Sequence, residues 1–220
     1  MGIKVLRNIF ESNIKRSDEL KKIFKEKGIY VINVMGSPGA GKTSVIVEII
    51  KSLKDDLRIG VIEADCEGKY DAEKIDSMGI PVVQLNSEGA CHIEAVSVDK
   101  AMSNFPTWDI DLLLIENIGN LVCPAGFEIG EDLRMVILSV PEGDDKVAKY
   151  PSMFYRCDVM VINKIDVKDY FDFNMQRILT DIQGLNPKVE VFPVSCKTEY
   201  GIDKLSAWIK RKVLDKKKSN

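Results

Sequence analysis

The strongest constraint on the fold of this chain is a glycine-rich loop at residues 36–43, Gly-Ser-Pro-Gly-Ala-Gly-Lys-Thr. It matches the phosphate-binding pattern Gly-x-x-x-x-Gly-Lys-Ser/Thr at each fixed position. The apolar run 29–35 before it is typical of a buried strand, and residues 44–51 after it have the pattern of a helix. In such a strand–loop–helix unit, backbone N–H groups surround a phosphate and the helix dipole favours its charge. The loop therefore predicts a site for a nucleoside triphosphate.

Two side chains of this loop are predicted to be catalytic. Lys42 is expected to reach the β- and γ-phosphates, and the Thr43 hydroxyl is expected to ligate Mg²⁺. The residues of the loop that we expect to contact the nucleotide are Gly36, Ser37, Gly39, Ala40, Gly41, Lys42, Thr43 and Ser44.

Apolar runs that suit buried parallel strands recur along the chain, with helical segments between them. We count seven, at residues 29–35, 59–64, 80–85, 110–115, 135–140, 159–162 and 189–194. Near-continuous apolar strands that alternate with helices are typical of a parallel sheet covered on both faces. The pattern predicts the α/β fold of a P-loop NTPase, with a mainly parallel seven-stranded sheet and helices on both faces.

The two ends of the chain are predicted to be helical. Residues 1–27 carry apolar side chains at helical spacing and predict an N-terminal helical extension on the surface of a P-loop domain at 28–220. A partner-docking arm is the alternative for this extension. Residues 201–214 predict an amphipathic helix, and the basic residues 216–218 after it are expected to form a frayed, solvated terminus.

Composition excludes several classes of protein. A net charge of −3 argues against nucleic acid as the main partner. No apolar run approaches the roughly 20 residues of a membrane span, and Lys4 and Arg7 interrupt any signal-peptide core, so we expect a cytoplasmic protein without a membrane partner. The five scattered cysteines do not suggest a disulfide framework, and Cys157, beside an apolar run, is expected to be structural.

The predicted base is guanine. Asn163, Lys164 and Asp166 form an Asn-Lys-x-Asp pattern directly after the strand at 159–162. A carboxylate at Asp166 can accept from the ring N–H and the amine of guanine, whereas adenine presents an acceptor there, and an unpaired buried charge costs about 1–3 kcal/mol or more. The short loop expected to complete the pocket is Ser195-Cys196-Lys197. An ATP-using small-molecule kinase is the alternative.

A second acidic site is predicted where the strand at 110–115 ends. Glu116-Asn117-Ile118-Gly119 resembles an Asp-x-x-Gly switch with Glu in place of Asp, so Glu116 is expected to hold Mg²⁺ and to be catalytic. Asp65, at the end of another strand, is a second candidate for Mg²⁺. Asn120 stands where signalling GTPases often have a water-orienting Gln, which predicts slow intrinsic hydrolysis.

Three further residues suggest a transition-metal site. Cys91 is followed directly by His92, the one histidine of the chain, and Cys123 lies on the same segment as Glu116. Thiolate and imidazole donors suit Zn²⁺ or Ni²⁺. We expect Cys91 and His92 at the start of a helix, whose dipole favours a thiolate. Three ligands leave the site incomplete, so a water or a second chain would finish it; two structural thiols and a surface histidine are the alternative.

Taken together, these residues resemble the HypB-type nickel-insertion GTPases of [NiFe]-hydrogenase maturation. The resemblance covers nearly the whole chain after the N-terminal helix, and its motifs are 36–43, 91–92, 116–124, 142–146 with 149–151, and 163–166. It implies a GTP-dependent homodimer with metal at the subunit interface, held by Cys91, His92 and Cys123. It also implies nickel delivery to the hydrogenase large subunit, with a small zinc- and nickel-binding accessory protein as partner.

The chain departs from this family in two respects, in its N-terminal motifs and in residues 65–68 at the first switch, and two other readings stay open. Some members carry an N-terminal Cys-Cys-Gly motif or a histidine-rich tract, and this sequence has neither, which favours regulated transfer over nickel storage. The urease-accessory nickel GTPases have a Cys-Pro-His triplet, which Cys123-Pro124-Ala125 lacks. A signalling or translational GTPase without a metal site is the other alternative.

Overall fold

The computed structural model describes residues 8–65, 68, 70–87 and 89–218, without the side chains of residues 8–10 and 65. The strands in this part of the chain are β1 (Tyr30–Gly36), β2 (Ile59–Asp65), β3 (Val82–Asn86), β4 (Leu112–Glu116), β5 (Leu133–Ser139), β6 (Val159–Asn163) and β7 (Glu190–Pro193). They form one parallel sheet in the order β3-β2-β4-β1-β5-β6-β7. The seven strands and their parallel pairing confirm the predicted sheet.

Helices cover both faces of this sheet, as predicted. They are α1 (Asn8–Glu26), α2 (Lys42–Leu53), α3 (Tyr70–Asp76), α4 (Ala95–Ser103), α5 (Lys146–Lys149), α6 (Pro151–Tyr155), α7 (Met175–Leu185) and α8 (Ile202–Lys218). Ile32 and Val34 of β1 pack in a core with α2 and α8, whereas Val31, one residue before Ile32, packs on the other side with α1 and α4. This alternation follows from the two-residue period of a strand. None of the helices that the structure describes is both long and apolar enough to cross a membrane.

The helix α1 packs against the rest of the chain through its second half. Leu20 and Phe24 are fully buried in the core that α4 also enters, whereas Ile14 is 53% exposed. The Asn13 carboxamide is buried and accepts from the backbone N–H of Ala95 at 2.8 Å. Residues 1–7 of the predicted extension lie outside the described residues, and the division of the chain at residue 27 stays a prediction.

The basic C-terminus differs from the prediction of a frayed, solvated end. α8 continues to Lys218, and Lys216 donates to the Asp132 carboxylate and to the backbone carbonyl of Ile29, both at 2.6 Å. Lys217 donates to Asp111 at 2.6 Å. The prediction was wrong because two carboxylates at the amino-terminal edge of the sheet hold this last turn of α8 by ion pairs, which a pattern of lysines does not reveal.

The Asp111 carboxylate is the centre of this cluster. It accepts from the side chain of Arg58 at 2.5 and 3.1 Å and from the Arg58 backbone N–H at 3.0 Å. Burial alone would raise the pKa of Asp111, but the hydrogen bonds from Arg58 and Lys217 together hold it well below its usual range. The cluster therefore joins the start of β4 to α8 and to the loop before β2.

Candidate nucleotide and metal sites

The phosphate loop follows β1 directly and ends where α2 begins at Lys42. A β-carbon on Gly36 would lie 2.5 Å from the carbonyl oxygen of Ile137, so only glycine permits this close approach to β5. Gly41 has a φ of +93° at the start of α2, and Gly39 has a φ of +77°. Both conformations favour glycine because a side chain in this region is strained. The pattern therefore produces the strand–loop–helix unit predicted from it.

Two adjoining cavities lie at the carboxyl edge of the sheet, where open α/β sheets bind ligands. One has a volume of about 500 Å³ and the other of about 650 Å³, and Ser44 and Lys164 line both. Gly39, Gly41 and Lys42 line the smaller cavity. Among the other predicted residues of the loop, the carbonyls of Ser37 and Ala40 accept from Lys42 Nζ at 3.4 Å and from Asn163 Nδ2 at 3.0 Å. Two hydrogen bonds thus hold the loop, one from within it and one from Asn163, and a cavity borders it.

The smaller cavity contains a set of oxygen ligands suited to Mg²⁺. Thr43 Oγ1 lies 3.0 Å from Asp71 Oδ2 and 3.0 Å from Glu116 Oε1. A hydroxyl has one proton and can satisfy only one of two carboxylates at a time, so this arrangement carries excess negative charge. Hard oxygen donors of this kind fit a divalent cation. Thr43 and Glu116 thus line the same cavity, and their role at Mg²⁺ stays a prediction, whereas the side chain of Asp65 lies outside the described residues.

Two acidic residues in this cavity were missed by the sequence analysis. Asp71 lies in the first turn of α3, and no motif distinguishes it from other surface acids. Glu63 is 2% exposed and faces Glu116 across the register of β2 and β4. The signal for Glu63 was present in the sequence, because a charged residue inside an otherwise apolar strand needs a polar or cationic environment. Three carboxylates, those of Glu63, Asp71 and Glu116, thus line this cavity together with Thr43.

The larger cavity brings together the residues predicted to recognise the base. Asn163, Lys164 and Asp166 line it with Cys196 and Lys197. Asp166 Oδ1 accepts from the hydroxyl of Ser195 at 2.6 Å, and this hydrogen bond fixes the orientation of the carboxylate. Burial raises the pKa of the Cys196 thiol to about 11, which keeps it neutral and makes it an apolar wall at pH 7.

The base loop and the phosphate loop are joined directly. Asn163 is 1% exposed and donates to Ala40, while Lys164 Nζ donates to the Gly39 carbonyl at 2.7 Å. Lys164 has a φ of +60°, a conformation that costs a non-glycine residue about 1–2 kcal/mol. The surrounding contacts hold it there, which places its stem beside both cavities.

The three predicted metal ligands also lie together. The ligand atoms of Cys91, His92 and Cys123 are all within 4.8 Å of one another, and Cys91 Sγ is 3.5 Å from His92 Nδ1. Cys91 is exposed, whereas His92 and Cys123 are half-buried. Two sulfurs and an imidazole fit the soft and borderline metals Zn²⁺ and Ni²⁺ better than Mg²⁺. The arrangement offers three protein ligands from two loops and an open side.

The expectation that Cys91 and His92 begin a helix was wrong. α4 begins at Ala95, and the two residues lie in the loop before it. The neighbouring Cys123 thiol and the loss of water around the sulfur raise the pKa of Cys91, whereas a helix dipole would have lowered it. The proximity of two sulfurs therefore dominates the environment of this thiol.

Two residues that the sequence did not indicate, Phe127 and Arg134, hold the Cys91–His92–Cys123 cluster in place. The Phe127 ring stacks on His92 with 3.8 Å between ring centroids. The buried guanidinium of Arg134 in β5 donates to the carbonyls of Ala125 and Phe127 at 3.4 and 3.2 Å. The segment that carries Cys123 is thereby fixed to the sheet, and its Phe127 orients His92.

With this geometry established, comparison with known proteins identifies the family. Residues 30–193 match the CobW/HypB/UreG nucleotide-binding domain. The probable hydrogenase maturation factor HypB of Methanocaldococcus jannaschii is 37% identical, over 98% of this chain and 97% of that protein. The chain belongs to the HypB family. This confirms the resemblance drawn from the sequence motifs.

Other HypB proteins support the same assignment. The hydrogenase maturation factor HypB of Rhizobium leguminosarum is 39% identical over 94% of this chain and 69% of its own length. The crystal structure of HypB from Helicobacter pylori in complex with nickel superposes with a TM-score of 0.88 at 34% identity, covering 93% of this chain and 96% of that one. The chain is therefore a P-loop protein of the GTPase type in sequence and in fold.

Proposed function

We propose that this chain is a GTP-binding and GTP-hydrolysing metallochaperone that delivers nickel during [NiFe]-hydrogenase maturation. The observation that carries the proposal is the position of Cys123. It belongs to the Cys91–His92–Cys123 cluster and lies seven residues after Glu116, which lines the phosphate cavity. One segment thus carries residues of both proposed sites. The relatives are hydrogenase maturation factors, which supports hydrogenase as the target, and the H. pylori HypB structure contains nickel, which supports nickel as the cargo.

The nucleotide chemistry of this proposal uses residues of the two cavities. Lys42 would neutralise charge on the β- and γ-phosphates, and Asp166 would accept from guanine. Thr43, Asp71 and Glu116 would hold Mg²⁺, whose charge screens the phosphates when it is bound. Asn120 Oδ1 is engaged by the backbone N–H of Val122 at 2.7 Å, which supports slow intrinsic hydrolysis, because this oxygen is not directed at an attacking water.

The metal chemistry favours a homodimer. A metal ion with three protein ligands keeps an open side, which a water or the ligands of a second copy would fill. A symmetric pair of chains would place two such sets of ligands face to face. Ni²⁺ is proposed as the cargo, with Zn²⁺ as a competitor for the same donors. A hydrogenase large subunit and a small nickel- and zinc-binding accessory protein are the proposed partners, in the cytoplasm, without nucleic acid or membrane.

The decisive experiment measures metal and mass together. The purified chain is loaded with Mg²⁺ and either GDP or a non-hydrolysable GTP analogue, then titrated with Ni²⁺ while its mass in solution is recorded. We expect Ni²⁺ affinity and dimer fraction to differ between the two nucleotides. Equal affinity and equal dimer fraction in both states would refute the coupling.

Variants of the cluster separate this proposal from its alternatives. Cys91→Ser, His92→Ala and Cys123→Ser are each expected to lose Ni²⁺ without losing GTP, whereas Cys157→Ser is the control, because Cys157 is buried apart from the cluster. A GTPase without a metal site predicts that all four variants bind Ni²⁺ as the wild type does. Transfer of Ni²⁺ to an apo-hydrogenase or an apo-urease large subunit distinguishes the two nickel pathways.

A further inference from the structure

The segment after β4 is in direct contact with the phosphate loop. A β-carbon on Gly119 would lie 2.9 Å from the backbone nitrogen of Pro38, so the two loops touch at van der Waals distance. The next residue, Asn120, donates its backbone N–H to the carbonyl of Gly36 at 3.1 Å, and these two residues form an isolated antiparallel bridge. Gly119 also lines the phosphate cavity. A phosphate that attracts or releases the Gly119 N–H moves the Gly119 Cα, which is the first atom of the peptide plane that ends at Asn120.

The side chain of Asn120 holds the turn that presents Cys123. Its Oδ1 accepts from the backbone N–H of Val122 at 2.7 Å and of Cys123 at 3.4 Å. Asparagine is favoured in such turns because its short carbonyl reaches the N–H two residues ahead. Cys123 then begins the 3₁₀ turn Cys123–Gly126. The backbone of one residue is thus bonded to the phosphate loop while its side chain is bonded to a metal ligand.

We propose that Asn120 is the positioning residue through which the nucleotide state changes the geometry of the Cys91–His92–Cys123 site. The inference rests on the proposed function, because it names the residue that couples the two sites described there. When the 119–120 peptide shifts, the Asn120 carboxamide moves the Val122 and Cys123 amides with it. The Cys123 sulfur then moves relative to Cys91 and His92, which belong to a different loop.

The test compares nickel dissociation constants in two nucleotide states. Wild type and three variants of position 120 are each loaded with Mg²⁺ and GDP or a non-hydrolysable GTP analogue. Ni²⁺ affinity is measured by competition with a chromophoric chelator, and the readout is the ratio of the two constants. Asn120→Ala removes the acceptor, Asn120→Gln moves it by one methylene, and Asn120→Asp keeps it in place.

We expect a wild-type ratio of about 5–150, the usual range for coupled sites. Asn120→Ala and Asn120→Gln should reduce the ratio to about 2 or less, while still binding one Ni²⁺ per site as the wild type does. Asn120→Asp should retain the wild-type ratio, because the added charge changes Ni²⁺ affinity alike in both nucleotide states. The Gln variant preserves the test if the Ala variant does not fold.

Asn186→Ala is the matched control. The Asn186 amide also bonds two backbone groups, the carbonyls of Phe154 and Cys157 at 3.1 and 2.7 Å, but it lies before β7 at the opposite edge of the sheet. It should keep the wild-type ratio. If Asn120→Ala or Asn120→Gln keeps the wild-type ratio, Asn120 is not the positioning residue. The same holds if Asn120→Asp loses the ratio as fully as they do. In both cases the coupling of the two sites stands. A ratio of one in the wild type overturns the coupling itself.

Discussion

Two glycines of the phosphate loop offer a matched pair of perturbations. Gly39 and Gly41 both have positive φ, at +77° and +93°. A β-carbon on Gly39 would meet nothing within 4 Å, whereas one on Gly41 would lie 2.4 Å from Asn163 Nδ2. Gly39→Ala therefore adds backbone strain alone. Gly41→Ala adds the same kind of strain and also displaces the Asn163 amide from the buried Ala40 carbonyl.

The magnitudes follow from these contacts. A left-handed alanine costs about 1–2 kcal/mol, which is the whole expected loss for Gly39→Ala. Gly41→Ala should lose about 1–3 kcal/mol more, because a buried carbonyl loses its hydrogen bond. For a chain of this length each kcal/mol lowers the melting temperature by about 2–4 °C. The difference between the two variants should therefore be about 2–12 °C.

Equilibrium unfolding in urea without nucleotide is the direct assay, since both glycines line the phosphate cavity and a bound ligand would add its own stabilisation. The double variant Gly41→Ala/Asn163→Ala removes the collision and should be less destabilised than the sum of its two single changes. Equal losses for Gly39→Ala and Gly41→Ala, or strict additivity in the double variant, would show that the Asn163 contact does not hold the two loops together.

Three further changes test the base pocket, the metal cluster and the opposite edge of the sheet. Asp166→Asn keeps an acceptor for Ser195 but replaces one oxygen that accepts from guanine by a donor. GDP affinity should therefore fall about 100-fold or more, and xanthosine diphosphate should bind better. Competition with a fluorescent nucleotide measures both affinities. Phe127→Leu removes the ring stacked on His92 and should weaken Ni²⁺ about 2–10-fold at unchanged stoichiometry; unchanged affinity would contradict the positioning role. Burial opposes ionisation of Asp111, but its cationic partners lower its pKa. The carboxylate therefore stabilises the fold above about pH 4, and this stabilisation is lost as the pH falls towards the depressed folded pKa. Asp111→Asn should cost about 1–3 kcal/mol in urea unfolding at pH 7 and progressively less below pH 4; a constant difference would refute the assignment.

The sheet could be predicted because buried parallel strands are apolar along their whole length. The seven runs correspond to the seven strands, with ends displaced by a few residues where a local group interrupts the pairing. At the third strand, the predicted run began at Ile80, but Pro81 has no N–H to donate and β3 begins at Val82. The ion pairs of Lys216 and Lys217 were not predictable, because their partners are distant in sequence and an exposed lysine has the same pattern.

The candidate site was predictable where a motif fixes both residue type and position. The phosphate loop, Asn163–Asp166 and Glu116 follow strand ends, and strand ends of a parallel sheet meet at one edge. Asp71 and Phe127 have no such marker, since their roles depend on the distance to Thr43 and to His92. The meeting of Cys91–His92 with Cys123 was inferred from donor chemistry and from the resemblance to the HypB family, and the structure supplies its geometry.

The Cys91–His92–Cys123 cluster is built on two loops, and this suits the release of an ion in the proposed nickel transfer. Cys123 is tied to the phosphate loop through Asn120, whereas His92 precedes α4, whose first N–H is held by Asn13 of α1. The same Asn13 carboxamide donates to the carbonyl of Glu128 at 2.8 Å, one residue after the ring that stacks on His92. α1 therefore anchors the far ends of both loops, while the near end of one loop is bonded to the phosphate loop. A site with four ligands on one rigid element would bind more tightly but could not be opened from the phosphate loop. Under the proposed function, three ligands on two loops, with one loop attached to the phosphate loop, would give the lower affinity and the movable geometry that transfer of an ion requires.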